Sequence, residues 1–469
     1  MRFRASIAGL FTMALALMTA VAAVPATAAA PHYVPGQVIV QYAPGPLPRA
    51  AADARRTMGI RTATEAVSPN AQVLKLPANV SVQQAIARLR AQPGVVYAVP
   101  NYIAHAAGFW VPDDPGRIQR SQGWQQVQWN FLPGVGVNAP EAWANMFAAH
   151  HPGGRGTVVA ILDTGVAFRN WHQFRKSPDF AGTRFAGSCD LVAGGLVRDR
   201  CANPYALDRE GHGTFVAGTV AESTNNRYGL TGLAYGATIM PVRVLDAGGD
   251  GDAATISRGI RYAATHGARV INLSLEFDIS VTSTDIPDIV SAIEFAHRRG
   301  AIVVGAAGND YSGRLAYPAA DPAVVSVGAT TRDRCLAAYS NVSSRLDLVA
   351  PGGGDDSGSL NDPNCHSGRS LPDIYQMTFP DAAAPGRFGM PGGWFGTSMA
   401  APHVAAAAAL VIASGELGRH PSPDRVLARL EQTADPLGGS KPNADYGYGL
   451  VDAGAATNGV VHSRRHRVR

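Results

Sequence analysis

Residues 396–403 read G-T-S-M-A-A-P-H and run straight into 404–412, V-A-A-A-A-A-L-V-I. An apolar run with no polar face predicts a helix buried on every side, which only the middle of a large domain can house. Pro402 is read as marking the helix start, because proline is tolerated in the first turn and breaks a helix further in. Ser398 is then expected at or just before the N-terminus, where backbone N–H groups point outward and the dipole adds partial positive charge. A hydroxyl nucleophile placed there has half an oxyanion hole built in, and Gly396 leaves the approach bare. Serine is also among the best helix caps, so this stretch alone does not separate capping from chemistry.

The surrounding chain bounds the answer. With 469 residues, 46% hydrophobic and 16% charged, it fits a packed globular protein of one large domain or two to three smaller ones, not a disordered one. Arg2 and Arg4, the apolar stretch 7–24 and Ala26-Thr27-Ala28 form a secretion signal over 1–28. No second apolar span outside the helix above suggests a stable membrane anchor. Four cysteines in an exported chain imply disulfides, with three pairings open; short loops favour Cys189 with Cys201 and Cys335 with Cys365. No C-x-x-C or His/Cys cluster suggests zinc. The net charge of +5 is mildly basic, and the tail 457–469 is expected to be a solvated terminus, not a nucleic-acid contact.

Residues 29–107 carry strand-like and helix-like stretches in the order β-α-β-α-β, a small separate domain. Residues 108–126, with Asp113-Asp114-Pro115, read as a linker. Beyond Gln128, short β-branched runs at 158–162, 239–244, 270–273, 301–304, 324–327 and 346–349 predict buried parallel strands. Helices fit 214–222, 253–266, 287–299, 402–414 and 423–432. The expected fold is α/β, a mostly parallel sheet with helices on both faces, spanning 108–456. Residues 355–393 are read as a long ordered loop.

Ligands of open α/β sheets bind at the carboxyl ends of the strands. Asp163 stands there after V-V-A-I-L, and Asn309 stands there after A-I-V-V-G-A-A-G. His212 lies in G-H-G-T-F-V-A-G-T, at the start of an apolar helix. Singly, these are a turn aspartate, a loop amide and a structural histidine. Together with Ser398 they are the parts of acyl transfer: nucleophile, base, the carboxylate that orients the base, and an oxyanion donor beside the Ser398 N–H.

With A-I-L-D-T-G, G-H-G-T-F-V-A-G-T, A-A-G-N and G-T-S-M-A-A-P-H in this order, the chain resembles the subtilisin family of serine endopeptidases over roughly 128–456. The segment 29–107 resembles the family's propeptide, which assists folding, occupies the active site and is cut off, here near 105–108. The resemblance implies that Gly249, Asp250 and Gly251, with Ser274, Leu275 and Glu276, pair with an extended substrate. It places Ala306, Ala307 and Gly308 on the far wall of the first specificity pocket and Ala316 at its floor. Glu276 stands where the family usually has glycine. That set predicts an apolar pocket with a carboxylate at its rim. The resemblance also implies a structural calcium held by Asn226, by the carbonyls of Thr224, Tyr228 and Leu230, and by Asp179 and Gln128. The expected protein is a secreted monomeric endopeptidase that cuts protein substrates and is held inactive by its own propeptide. An inactive peptide-binding relative has no use for all four catalytic groups. A small-substrate esterase or amidase has none for a propeptide and two substrate-pairing stretches.

Overall fold

A computed structural model describes residues 33–60, 63–68, 70–102, 110–116, 123–197, 200–358, 362–366 and 368–458. The secretion signal, the expected cut near 105–108 and nearly all of the basic tail lie outside these residues. The chain forms two compact units, Met1–Gly108 and Phe109–Arg469.

The first unit is a four-stranded antiparallel sheet in the order Ala63–Ser68, Ala71–Lys75, Tyr33–Tyr42, Val95–Tyr102. Helices Arg49–Thr57 and Val82–Arg90 complete it. Inward residues Val38, Val40, Leu74, Ala85 and Leu89 build its small core. Ser81 opens the second helix with a reciprocal capping box, accepting from the Gln84 N–H while Gln84 accepts from the Ser81 N–H. The expected β-α-β-α-β order is corrected by Ala63–Ser68, whose A-T-E-A-V-S sequence carries too few large apolar residues to read as a strand.

The second unit is built on a parallel sheet in the order Leu348–Pro351, Val324–Thr330, Ile302–Ala306, Val270–Leu273, Val158–Asp163, Thr238–Arg243, Arg184–Phe185. Cys189–Asp190 extends the last edge along Thr238–Arg243. The central strands are buried on both faces, which is why they read as unbroken Val/Ile runs. One face is covered by the helices His212–Ala221 and Thr397–Ser414, the other by Ala253–Thr265 and Pro287–Arg298.

Thr397–Ser414 is long and apolar enough to cross a membrane, with mean hydropathy 1.4, yet 78% of it is buried inside the domain. It packs across five strands of the sheet as the core of the fold. Its start corrects the sequence reading. The helix begins at Thr397, and Pro402 lies inside it. Proline there removes the bond that residue 402 would donate to the Ser398 carbonyl. The Ser274 hydroxyl donates to that carbonyl instead, at 2.8 Å.

The linker reading of 108–126 is also corrected. Trp110 packs edge-on against Trp143 and Phe147, Trp124 is wholly buried, and Asp114 is 1% exposed. A segment this rich in buried anchors belongs to the second unit.

Disulfides join Cys189 to Cys201 and Cys335 to Cys365. The second closes a loop with a sequence separation of 30. Replacing both Cys335 and Cys365 by alanine should cost about 3–4 kcal/mol of stability through the entropy returned to the unfolded chain. A lower denaturant midpoint is expected, and an unchanged one would show that noncovalent contacts alone hold the loop.

Candidate active site

The four expected groups come from four different places in the fold. Asp163 ends the strand Val158–Asp163 and is fully buried. His212 is the first residue of its helix. Asn309 follows the strand Ile302–Ala306, and Ser398 sits in the first turn of the buried helix.

His212 Nδ1 lies 2.8 Å and 3.0 Å from the two Asp163 carboxylate oxygens. A carboxylate accepts, so Nδ1 carries the proton and Nε2 is left as the free acceptor. The turn before the helix is organised by Asp208, which sequence reasoning missed. Its carboxylate accepts from the N–H groups of Glu210, Gly211 and Thr214 and from the Thr164 hydroxyl. Glu210, also missed, accepts from the His212 N–H at 2.7 Å. Burial pulls the His212 pKa down. The Asp163 charge and hydrogen bond, then Glu210 and Asp208, more than offset this and raise it to about 8.

Asn309 is oriented by its own partners. Its Oδ1 accepts from the Thr397 N–H at 2.9 Å and the Thr397 hydroxyl at 3.1 Å. Its Nδ2 is thereby turned away from Thr397, and one of its hydrogens goes to Glu276 Oε1 at 3.0 Å. The Ser398 N–H donates to no group among the described residues. Ser398 Oγ rests on the Ser274 carbonyl at 3.3 Å and makes no hydrogen bond to His212 among the described residues.

His212 and Ser398 open into one cavity of about 350 Å³. Gly249, Asp250, Gly251, Ser274, Leu275 and Glu276 line it as expected, joined by Glu210 and Phe277. Ala306, Ala307, Gly308 and Ala316 do not line it. Ala306 and Ala307 are wholly buried and Ala316 is 1% exposed. The physical reason is Glu276, whose side chain lies over Gly308: a Cβ on Gly308 would stand 2.6 Å from Glu276 Oε2.

A second set of oxygens gathers around the loop 224–230. Asp179 accepts from the Leu230 N–H and Asn226 Nδ2, both at 2.8 Å. Asp114 accepts from the N–H groups of Asn225 and Asn226. Burial lifts the carboxyls of Asp114 and Asp179 to about 6 and about 7. Glu222 beside them is pushed well up by burial, and its Oε2 has no partner. Gly229 makes the cradle possible, since a Cβ there would meet Asp179 Oδ2 at 2.1 Å. The carbonyls of Thr224, Tyr228 and Leu230 accept no bond among the described residues. Gln128, expected in this set, bonds with its carboxamide to the N–H and carbonyl of Thr231. Asp114, read from sequence as part of a linker, reaches the loop 224–230 through the N–H groups of Asn225 and Asn226. A smaller acidic group that could hold a metal ion, Asp333, Asp356 and His366, lies elsewhere, but Arg369, Thr331 and the His366 N–H already engage its carboxylates.

Comparison with known proteins gives concordant results. A family model described as the subtilase family matches residues 154–449, and one described as the fervidolysin N-terminal prodomain matches 19–101. A thermophilic serine proteinase of Bacillus sp. strain AK1 is 32% identical over 417 residues, covering 88% of this chain and 86% of that protein. Subtilisin Savinase of Lederbergia lenta is 34% identical over 337 residues, 71% of this chain and 99% of that protein. A solved protease structure from Pseudoalteromonas arctica superposes with a TM-score of 0.54 at 30% identity, covering 74% of this chain and 99% of that one.

His212 and the buried His403 should titrate apart. His212 is expected to lose its proton near pH 8 in an NMR titration, and lower in Glu210→Gln, where one supporting charge is gone. His403, pushed down to about 4 by burial, should stay neutral throughout. A single titration near 6.5 for both rings would refute the assignment of charges around His212.

Proposed function

The chain belongs to the subtilase family and is a serine endopeptidase with an N-terminal prodomain; from that premise we propose that Asp163, His212 and Ser398 form its catalytic triad. The observation that supports this most directly is the paired contact of His212 Nδ1 with Asp163, which leaves Nε2 in the cavity that holds Ser398. Rotation of the Ser398 side chain off the Ser274 carbonyl brings Oγ toward Nε2. His212 takes the hydroxyl proton as Oγ attacks the scissile carbonyl, and Asp163 stabilises the imidazolium. The Ser398 N–H and the second Nδ2 hydrogen of Asn309 receive the oxyanion. His212 then protonates the leaving amine, the acyl-enzyme forms, and water attacks it by the same route in reverse. Activity requires neutral His212, so hydrolysis should rise through about pH 8.

We propose that the residues expected to pair with substrate, Gly249 to Gly251 and Ser274 to Glu276, bind an extended chain by strand addition. The signal segment and both disulfides support export of a monomer whose prodomain, 29–107, inhibits the enzyme until it is removed; the catalytic domain is assigned to 108–456 and the tail to 457–469. Self-cleavage follows from one nucleophile serving both cuts. Ser398→Ala should therefore abolish casein hydrolysis and leave the prodomain covalently attached when made in a protease-free host. Normal trimming of that variant would assign maturation to another enzyme.

Calcium is proposed for the cluster at 224–230. Buried carboxylates of Asp114 and Asp179 with no cationic partner, beside unclaimed carbonyls of Thr224, Tyr228 and Leu230 and the Asn226 amide, are hard oxygen donors of the kind calcium takes. A bound cation neutralises the two carboxylates and ties the segment at Asp114 to the loop. Melting temperature should rise with calcium by an amount set by its concentration relative to affinity, and Asp114→Asn should weaken that response. A melting temperature indifferent to both chelator and calcium would remove the site.

A further inference from the structure

Glu276 is placed differently from a rim carboxylate. Its Oε2 accepts from the Asn309 N–H at 3.1 Å and its Oε1 from Asn309 Nδ2 at 3.0 Å. It lies over Gly308, whose missing Cβ would stand 2.6 Å from Oε2 and 3.1 Å from the Ala316 methyl. The carboxylate therefore sits between the Ser274–Glu276 stretch and Gly308, the two walls that the peptidase reading gives to the first specificity pocket. The rest of that slot is small and apolar, with Ala307 and Ala316 buried behind it.

No lysine or arginine pairs with Glu276 among the described residues. The cavity carries two further carboxylates, Glu210 and Asp250, and no lysine or arginine, although the chain as a whole has a net charge of +5. An uncompensated negative group also stands within hydrogen-bond distance of the amide that the oxyanion needs. Negative charge there opposes the charge that develops in the transition state. A cation in the slot removes both problems. It pairs with the carboxylate as substrate excludes water, and it draws the carboxylate off Asn309.

We propose that Glu276 is the specificity-determining residue of the first pocket and selects substrates with lysine or arginine at the residue that supplies the scissile carbonyl. This rests on the peptidase reading above. It replaces the apolar preference expected from sequence, because the carboxylate occupies the slot and does not merely border it. Since the cation acts on the oxyanion donor as well as on binding, selectivity belongs in kcat as well as in KM.

The test uses two fluorogenic peptides that differ only in arginine or leucine at that residue, with the mature enzyme and the variants Glu276→Gln and Glu276→Gly. The wild-type ratio of kcat/KM, arginine over leucine, should be at least tenfold. It should fall at least tenfold in both variants, with part of the change in kcat. A merely structural role would lower both substrates together and leave the ratio alone. A wild-type preference for leucine, or a ratio unchanged in Glu276→Gln, overturns the proposal while labelling of Ser398 by a serine-directed phosphonate leaves the peptidase reading intact. Hydrolysis of neither peptide together with no labelling overturns both.

Discussion

One absent hydrogen bond sets the geometry on which the site depends. Pro402 sits inside the helix Thr397–Ser414 and cannot donate to the carbonyl of Ser398. A buried carbonyl left unpaired costs about 1–3 kcal/mol, and Ser274 Oγ removes that cost at 2.8 Å. Asn272 Nδ2 donates in turn to Ser274 Oγ at 2.9 Å, which ties the helix start to the end of the strand Val270–Leu273. On its other side the same turn is capped by Asn309 Oδ1. Ser398, Asn309 and the stretch from Ser274 are thus fastened to one another by the side chains of Ser274, Asn272 and Asn309. The proline that looks like a helix boundary is the reason the helix is pinned to the sheet.

The two histidines that the motifs bring into the core show how environment separates chemistry from packing. His403 donates from Nδ1 to the Met399 carbonyl and meets Asn130 Nδ2 at 2.8 Å. Its partners are neutral, so burial dominates and the ring stays uncharged. His212 is held by Asp163, with Glu210 and Asp208 nearby, and the carboxylates outweigh burial. A ring whose charged form is stabilised can accept a proton in a transition state at little cost. His403 cannot, although it stands only five residues from Ser398 in sequence.

Much of this was legible in the sequence. The buried strands read correctly because residues covered on both faces must be apolar without alternation, and Asp163 and Asn309 stood at their carboxyl ends. What failed to read was whatever depends on the partner across space. Asp114 lies in a Pro- and Asp-rich stretch whose composition is that of a linker, and only the loop 224–230 gives it a reason to be buried. Pro402 reads as a boundary because nothing in the local sequence reveals that Ser274 supplies the missing donor. The pocket reads as apolar from Ala306, Ala307 and Ala316 with Glu276 at its rim, and no local pattern shows that the Glu276 carboxylate reaches over Gly308 to Asn309. Periodicity records which face of an element is buried, not what a long polar side chain reaches.

The edges of the sheet bear on how such a protein handles extended chains. An exposed edge strand invites pairing with any partner, a hazard for a protein that works among unfolded polypeptides. At one edge, the strand Leu348–Pro351 is covered by the segment 449–451, with the Val349 N–H donating to Gly449 and the Val451 N–H to Val349. At the other, Arg184–Phe185 and Cys189–Asp190 are only two residues each. There the Cys189–Cys201 disulfide and the buried Arg243–Asp190 ion pair fix the chain in place. Both edges are therefore closed to strand addition. The stretches 249–251 and 274–276 instead lie beyond the carboxyl ends of the strands, where they line one cavity with His212 and Ser398.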